Sequence, residues 1–98
     1  MIELNDLEKE KLRHLALEVL VASFPNALTR RDVLIRIGAD VEFDIDQACV
    51  EASLEFLKGL QFVDVVHDDF GSTKYWKATA WGIRALEREN DKRVPKRD

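Results

Sequence analysis

The chain has 98 residues, 46% hydrophobic and 35% charged, which is enough apolar material for one folded domain and excludes a second core. Its net charge of -4 excludes long-range attraction of the whole molecule to phosphate, so nucleic-acid binding would need a local basic patch. One cysteine, Cys49, excludes an internal disulfide, and with His14 and His67 it lacks metal-ligand spacing. The apolar-rich run at 15–24 is too short for a membrane span, and no secretory pattern opens the chain. We therefore expect a soluble, cytoplasmic protein without membrane association.

The first predicted element is a long helix. Asn5 followed by Glu8 has the pattern of a capping box, and the helix is predicted to run to about Ser23, because Pro25 cannot continue it. Its apolar residues cover more than one helical face. We expect this helix to pack on two sides and to leave apolar surface for self-association.

A second capping pattern, Thr29 followed by Asp32, predicts a short helix that ends at Gly38. Asp44 with Gln47 predicts a third helix, from about residue 45 to residue 58. Cys49 falls on the apolar side of this third helix. We interpret it as a buried small hydrophobic residue rather than a redox sensor.

The β-branched run at 62–67 predicts a strand, and 73–78 predicts the returning strand of a hairpin. Alternation along the second strand predicts that Trp76 faces the core. Thr79 is predicted to cap a last helix that ends at about Glu89. The charged segment 90–98 is expected to be a mobile tail outside the folded domain of residues 1–89.

This order of elements resembles the winged helix-turn-helix fold of small bacterial regulators such as the MarR, PadR and ArsR families. Two passages carry the resemblance: LKGLQFV at 57–63, between recognition helix and wing, and WKATAWG at 76–82, between wing and last helix. The sequence departs from the family pattern at two positions. Ala78 stands where leucine is usual, and Gln61 stands where a glycine normally turns the chain out of the recognition helix. Gly59 is the alternative residue for that turn. The resemblance implies an α+β, mostly helical, winged helix-turn-helix domain. The layout and its basic tail are also similar to small winged-helix proteins of Mu-like prophages.

The resemblance also implies a dimeric transcription regulator that binds double-stranded DNA, with helix 3 in the major groove and the wing beside the backbone. Each basic residue in this set has two interpretations: it contacts a phosphate, or it is an ordinary solvated surface residue. The polar residues of helix 3 would lie nearest the bases. The predicted nucleic-acid-binding residues are Arg30, Arg31, Gln47, Glu51, Lys58, Lys74 and Lys77.

The acidic charge of helix 3 favours a second interpretation. Carboxylates facing phosphate oppose binding, so the alternative is a protein-interaction module, perhaps phage-encoded, whose helix 3 meets a basic protein partner. Pairing of Glu51 and Glu55 with arginines of the same chain would favour DNA, and an open acidic face would favour the protein partner. The residues predicted for a partner interface are Phe70, Tyr75 and Trp81. No phosphate loop, nucleophile elbow or acid–base pair occurs, so neither enzymatic activity nor a cofactor or metal is predicted.

Overall fold

The computed structural model describes residues 2–93, and the side chains of residues 2–91. The described elements are α1 (Asp6–Ser23), α2 (Arg30–Ile37), α3 (Gln47–Gly59), β1 (Val63–His67), β2 (Lys74–Ala78) and α4 (Ala80–Arg93). The two strands pair antiparallel as a hairpin. Three helices, a two-stranded wing and a last helix form the predicted winged helix-turn-helix architecture, so the expected fold class is confirmed.

The first two helices begin at the predicted capping boxes. The Glu8 amide donates to Asn5 Oδ1 at 2.8 Å, and the Asn5 amide donates to Glu8 Oε1 at 3.0 Å. At α2, the Asp32 amide donates to Thr29 Oγ1 at 3.1 Å, and the Thr29 amide donates to Asp32 Oδ2 at 3.4 Å. Each box satisfies amide groups that the first helical turn leaves without a partner.

The start of α3 differs from the prediction. Asp46, in extended geometry, is the N-cap, and its Oδ1 accepts from the Cys49 amide at 2.8 Å. The predicted Asp44–Gln47 box does not form, because the Gln47 side chain instead accepts a hydrogen bond from Arg30. The helix consequently begins at Gln47, later than predicted.

The core lies where α1 packs against the other helices and β2. Trp76 is 1% exposed, as its position in the strand alternation predicted. From α3 the core takes Ser53 together with its buried aliphatic residues, whereas Ala52 and Phe56 are exposed. The buried hydrophobic residues are Leu12, Ala16, Leu17, Leu20, Leu28, Val33, Ile37, Val50, Leu54, Leu57, Val63, Trp76, Ala78 and Leu86.

The wing is joined to the segment before α2. The Leu28 amide donates to the Trp76 carbonyl oxygen at 2.8 Å, and the Trp76 amide donates to the Leu28 carbonyl oxygen at 2.7 Å. This bridge holds β2 beside the start of α2 and places the N-terminus of α2 next to the wing.

The turn from α3 into the wing uses Gln61, not Gly59. Gln61 has a φ of 65°, in the left-handed region, whereas Gly59 is the last helical residue. The Gln61 amide donates to the Lys58 carbonyl oxygen at 2.9 Å, and the Phe62 amide donates to that of Leu57 at 3.0 Å. This is the hydrogen-bond pattern of a Schellman motif, with Gln61 at the position where glycine is most common.

The last helix begins as predicted and ends later. Thr79 Oγ1 accepts from the Gly82 amide at 3.1 Å, so Thr79 caps α4. The helix continues past the expected end at Glu89 to Arg93, and therefore includes the first part of the segment predicted as a mobile tail. Residues 94–98 of that tail lie outside the described part of the chain.

Candidate nucleic-acid interface

A cleft of about 440 Å³ separates the N-termini of α2 and α3 from the first residues of β2. The Leu28–Trp76 bridge and the capping box at Thr29 set the position of its α2 wall. Three predicted cations, two from α2 and one from the wing, surround two predicted residues of α3. The lining residues are Thr29, Arg30, Arg31, Gln47, Glu51, Ser72, Thr73, Lys74 and Trp76.

Arg30 connects the start of α2 to the outer face of α3. Its Nε donates to Gln47 Oε1 at 3.1 Å, and its Nη1 donates to Glu51 Oε2 at 2.7 Å. Gln47 and Glu51 are one helical turn apart, so one guanidinium group reaches both side chains. The residue predicted as a phosphate contact therefore orients the two residues predicted to lie nearest the bases.

Lys74 approaches the same face of α3 from the wing. Its Nζ lies 3.8 Å from Glu51 Oε1 and 3.9 Å from Glu55 Oε1. Together with Arg30, it places a cation of this chain beside both carboxylates. The acidic face of α3 is thus paired internally, by one arginine and one lysine.

The paired groups remain accessible to water. The side chains of Arg30 and Lys74 are 44% and 50% exposed. Ion pairs at such exposure are weak and sensitive to salt, so an external anion can displace the carboxylate from either cation.

The other predicted nucleic-acid contacts are not drawn into this network of Arg30, Gln47, Glu51, Glu55 and Lys74. Arg31 is exposed and lines the cleft. Lys58 lies in the last turn of α3, and Lys77 lies opposite Asp64 across the hairpin. Among the cations predicted to contact DNA, Lys77 thus has an acidic residue as its cross-strand neighbour.

The three residues predicted for a partner interface lie in separate places. Phe70, at the tip of the wing, is 92% exposed, and Trp81, in the first turn of α4, is 57% exposed. The guanidinium carbon of Arg84 lies 5.7 Å from the Trp81 ring centroid. Tyr75 is half-buried on β2. Phe70 and Tyr75 thus belong to the wing, and Trp81 belongs to α4.

Cys49 is half-buried, so the prediction of a buried residue was wrong in degree. The N-terminal segment covers it partly, and its Sγ lies 3.9 Å from the Ile2 carbonyl oxygen. Burial raises the pKa of the Cys49 thiol, whereas hydrogen bonds from Cys49 lower the pKa of the Asp46 carboxyl.

Within residues 2–93, no three His, Cys, Asp or Glu residues are grouped to hold a metal ion. In that same range, every helix is too short or too polar to span a bilayer.

Sequence reasoning did not identify the contacts inside the network. The pairing of Arg30 with Glu51 joins residues of two helices, and the pairing of Lys74 with Glu55 joins wing and helix. Neither pair has a helical or strand spacing that would reveal it. The opposite charges were a signal that such contacts were possible, but not of which partners would meet.

Solved structures share this fold. The PcaV transcriptional regulator of Streptomyces coelicolor, solved with its natural ligand, is 25% identical over 78% of this chain and 49% of that chain, with a TM-score of 0.64. BpsR of Bordetella bronchiseptica is 26% identical over 88% of this chain and 59% of that one, with a TM-score of 0.65. A PadR-family transcription regulator of Clostridium difficile, 14% identical, covers 83% of this chain and 84% of its own, with a TM-score of 0.68.

The neighbours agree with the architecture: PcaV and the PadR protein are transcription regulators, and this chain has the winged helix-turn-helix fold of that class. The chain spans about half of the length of the Streptomyces regulator. No protein-family model matches the sequence, and no curated protein matches it significantly.

Proposed function

We propose that this chain is a transcription regulator without enzymatic activity, which binds double-stranded DNA as a homodimer with α3 in the major groove. The observation that carries the proposal is the position of Arg30 and Lys74 beside the outer face of α3, one on α2 and one on the wing. Cations in these places would contact phosphates along the groove that α3 enters.

The start of α2 adds a second source of attraction. Arg30 and Arg31 occupy its first turn, and a helix N-terminus favours anions through its free amide groups and its dipole. Local positive charge of this kind is what a chain of net charge -4 needs in order to bind DNA. The DNA binding of BpsR from Bordetella bronchiseptica is regulated by 6-hydroxynicotinic acid, and this similar structure supports the same class of function.

The alternative, a protein-interaction module with a basic partner, has less support. It requires an open acidic face on α3, whereas Glu51 and Glu55 lie beside Arg30 and Lys74 of the same chain. The exposed Phe70 at the wing tip is the observation that favours it. A basic partner would have to displace both internal cations before it could reach the carboxylates.

The test measures binding to a fluorescent duplex of random sequence by anisotropy, at about 50 and about 200 mM salt. We compare the wild type with Arg30→Ala/Arg31→Ala and with a matched control, Lys9→Ala/Lys11→Ala, which removes two exposed cations of α1. Circular dichroism checks that each variant is folded.

We expect binding that weakens steeply with salt, a loss of about tenfold or more in the α2 variant, and little change in the α1 control. Absence of duplex binding by the folded wild type at low salt would overturn the proposal. Equal losses in both variants would overturn the assignment of the contact surface to α2.

A further inference from the structure

We propose that Glu51 determines sequence specificity: it makes stable DNA binding depend on a base amino group, of cytosine or adenine, in the major groove opposite the middle of α3. The inference rests on the proposed DNA-binding function and assigns a role to the acidic residue that otherwise opposes it.

Glu51 is the centre of the charge network. Its two carboxylate oxygens face two cations from different elements, Arg30 Nη1 at 2.7 Å and Lys74 Nζ at 3.8 Å. Its side chain is 32% exposed, whereas that of Glu55, one turn later, is 50% exposed and has one longer contact with Lys74. Glu51 is therefore the carboxylate that its neighbours position, and about a third of its side chain remains exposed.

DNA binding changes the surroundings of this carboxylate. Phosphates compete for Arg30 and Lys74, and each cation that turns to the backbone leaves Glu51 less compensated. A carboxylate accepts hydrogen bonds only, so it needs donors from the DNA in return. Without such donors, its charge repels the phosphates and the acceptor atoms of the bases.

Each base pair offers one amino donor in the major groove, and the base sequence decides which strand carries it. Cytosine presents its N4 amino group and adenine its N6 amino group, whereas guanine and thymine present acceptors at their own edges. A duplex with an amino group opposite Glu51 restores the hydrogen bonds that the cations gave up. A duplex with guanine or thymine there does not, so Glu51 weakens binding to those sequences and retains it for the matched ones.

Gln47 and Arg30 are positioning residues in this scheme. The Gln47 side-chain oxygen accepts from Arg30 Nε, which leaves the amide nitrogen of Gln47 as a donor one turn before Glu51. In the protein without DNA, Arg30 thus holds an acceptor and a donor at neighbouring positions of the same helical face.

The experiment has two parts, both performed with the full chain. Enrichment from a randomised duplex library is carried out with the wild type, Glu51→Gln and the matched control Glu55→Gln, and affinity for a random duplex is measured for the same proteins. Each Gln variant removes one negative charge with little change of shape. Circular dichroism verifies folding, and Glu51→Ala provides a second variant without a polar side chain.

We expect the wild type to enrich sites with cytosine or adenine at one fixed position. Glu51→Gln and Glu51→Ala should relax or change that preference and raise affinity for the random duplex about tenfold. Glu55→Gln should raise random affinity less and keep the preference.

Three results would overturn the role of Glu51 while leaving DNA binding intact: wild-type sites without such a position, an unchanged preference in the Glu51 variants, or unchanged random-duplex affinity. If the folded wild type binds no duplex at low salt, the proposed function fails, and this inference fails with it.

Discussion

A Cβ atom placed on Gly82 would lie 2.1 Å from the carbonyl oxygen of Phe62. That oxygen is held in place, because it accepts a hydrogen bond from the Thr79 amide at 3.0 Å. The first turn of α4 therefore packs directly on the backbone at the start of the wing. This contact leaves no room for a side chain at position 82, which is glycine in the 76–82 passage.

Gly82→Ala should lower the free energy of unfolding by about 3 kcal/mol, because α4 or the backbone at Phe62 must move to admit the methyl group. Urea unfolding followed by circular dichroism measures the change. Gly59→Ala is the matched control: nothing lies within 4 Å of the added Cβ, and alanine at a helical position should raise stability by up to about 1 kcal/mol. Equal effects of the two substitutions would contradict the proposed steric conflict.

Gln61, the residue in left-handed geometry after α3, is a second position where glycine is predicted to change stability. Gln61→Gly should raise the free energy of unfolding by about 0.5 to 1 kcal/mol, since glycine adopts this φ without the steric cost that Gln61 bears. The greater freedom of glycine in the unfolded chain reduces the gain. Gln61→Ala, which keeps the steric cost, should remain close to the wild type in the same urea titration. A glycine variant no more stable than the alanine variant would contradict this explanation.

Local chemistry predicted most of the fold. The capping boxes at Asn5 and Thr29 and the burial of Trp76 depend on residues a few positions apart or on strand alternation, which a sequence displays directly. The start of α3 was misplaced because Asp44 and Asp46 are both good caps, and the sequence does not show which one is used. In the structure Asp46 caps the helix, while the Gln47 side chain accepts from Arg30 of another helix.

The candidate site was predicted only as a set of residues. Sequence reasoning named Arg30, Glu51 and Lys74 for DNA contact but did not predict that they contact one another. Their distances depend on how α2, α3 and the wing pack together, which no local pattern specifies.

The cap at Asp46 predicts a dependence of stability on pH. Hydrogen bonding to Cys49 holds the pKa of the Asp46 carboxyl below its ordinary value of 3.8 in the folded state. The unfolded state therefore binds the proton more readily, and the contribution of this cap is present above the ordinary pKa and lost as the pH falls below it. Asp46→Asn keeps a capping side chain that does not titrate.

Wild type and Asp46→Asn should accordingly differ most near neutral pH in favour of aspartate, and the difference should shrink as the solution becomes more acidic than pH 3.8. Asp46→Ala, without a cap, should be the least stable of the three near neutral pH. Thermal unfolding across a pH series measures all three. A constant difference between the wild type and Asp46→Asn would show that the Asp46 carboxyl is not the titrating group.

Trp81 tests the predicted self-association. Its ring is 57% exposed at the start of α4, so Trp81→Ala should change the stability of the monomer by no more than about 0.5 kcal/mol. If the homodimer uses this surface, the same substitution should weaken dimerisation about tenfold or more, as measured by sedimentation at several protein concentrations. Phe70→Ala, on the wing tip, serves for comparison and should leave the dimer intact. A Trp81→Ala dimer as stable as the wild type would remove α4 from the proposed interface.

Lys77 distinguishes a phosphate contact from a cation that balances the charge of the wing. It lies opposite Asp64 on the hairpin, away from the carboxylates of α3 that engage Lys74. If Lys77 contacts a phosphate, Lys77→Gln should reduce the slope of log affinity against log salt by about 1 for every duplex, without altering which sequences are preferred. Lys9→Gln, on the outer surface of α1, should leave the slope unchanged. An unchanged slope in Lys77→Gln would instead mean that Lys77 only balances the charge of Asp64 and makes no phosphate contact.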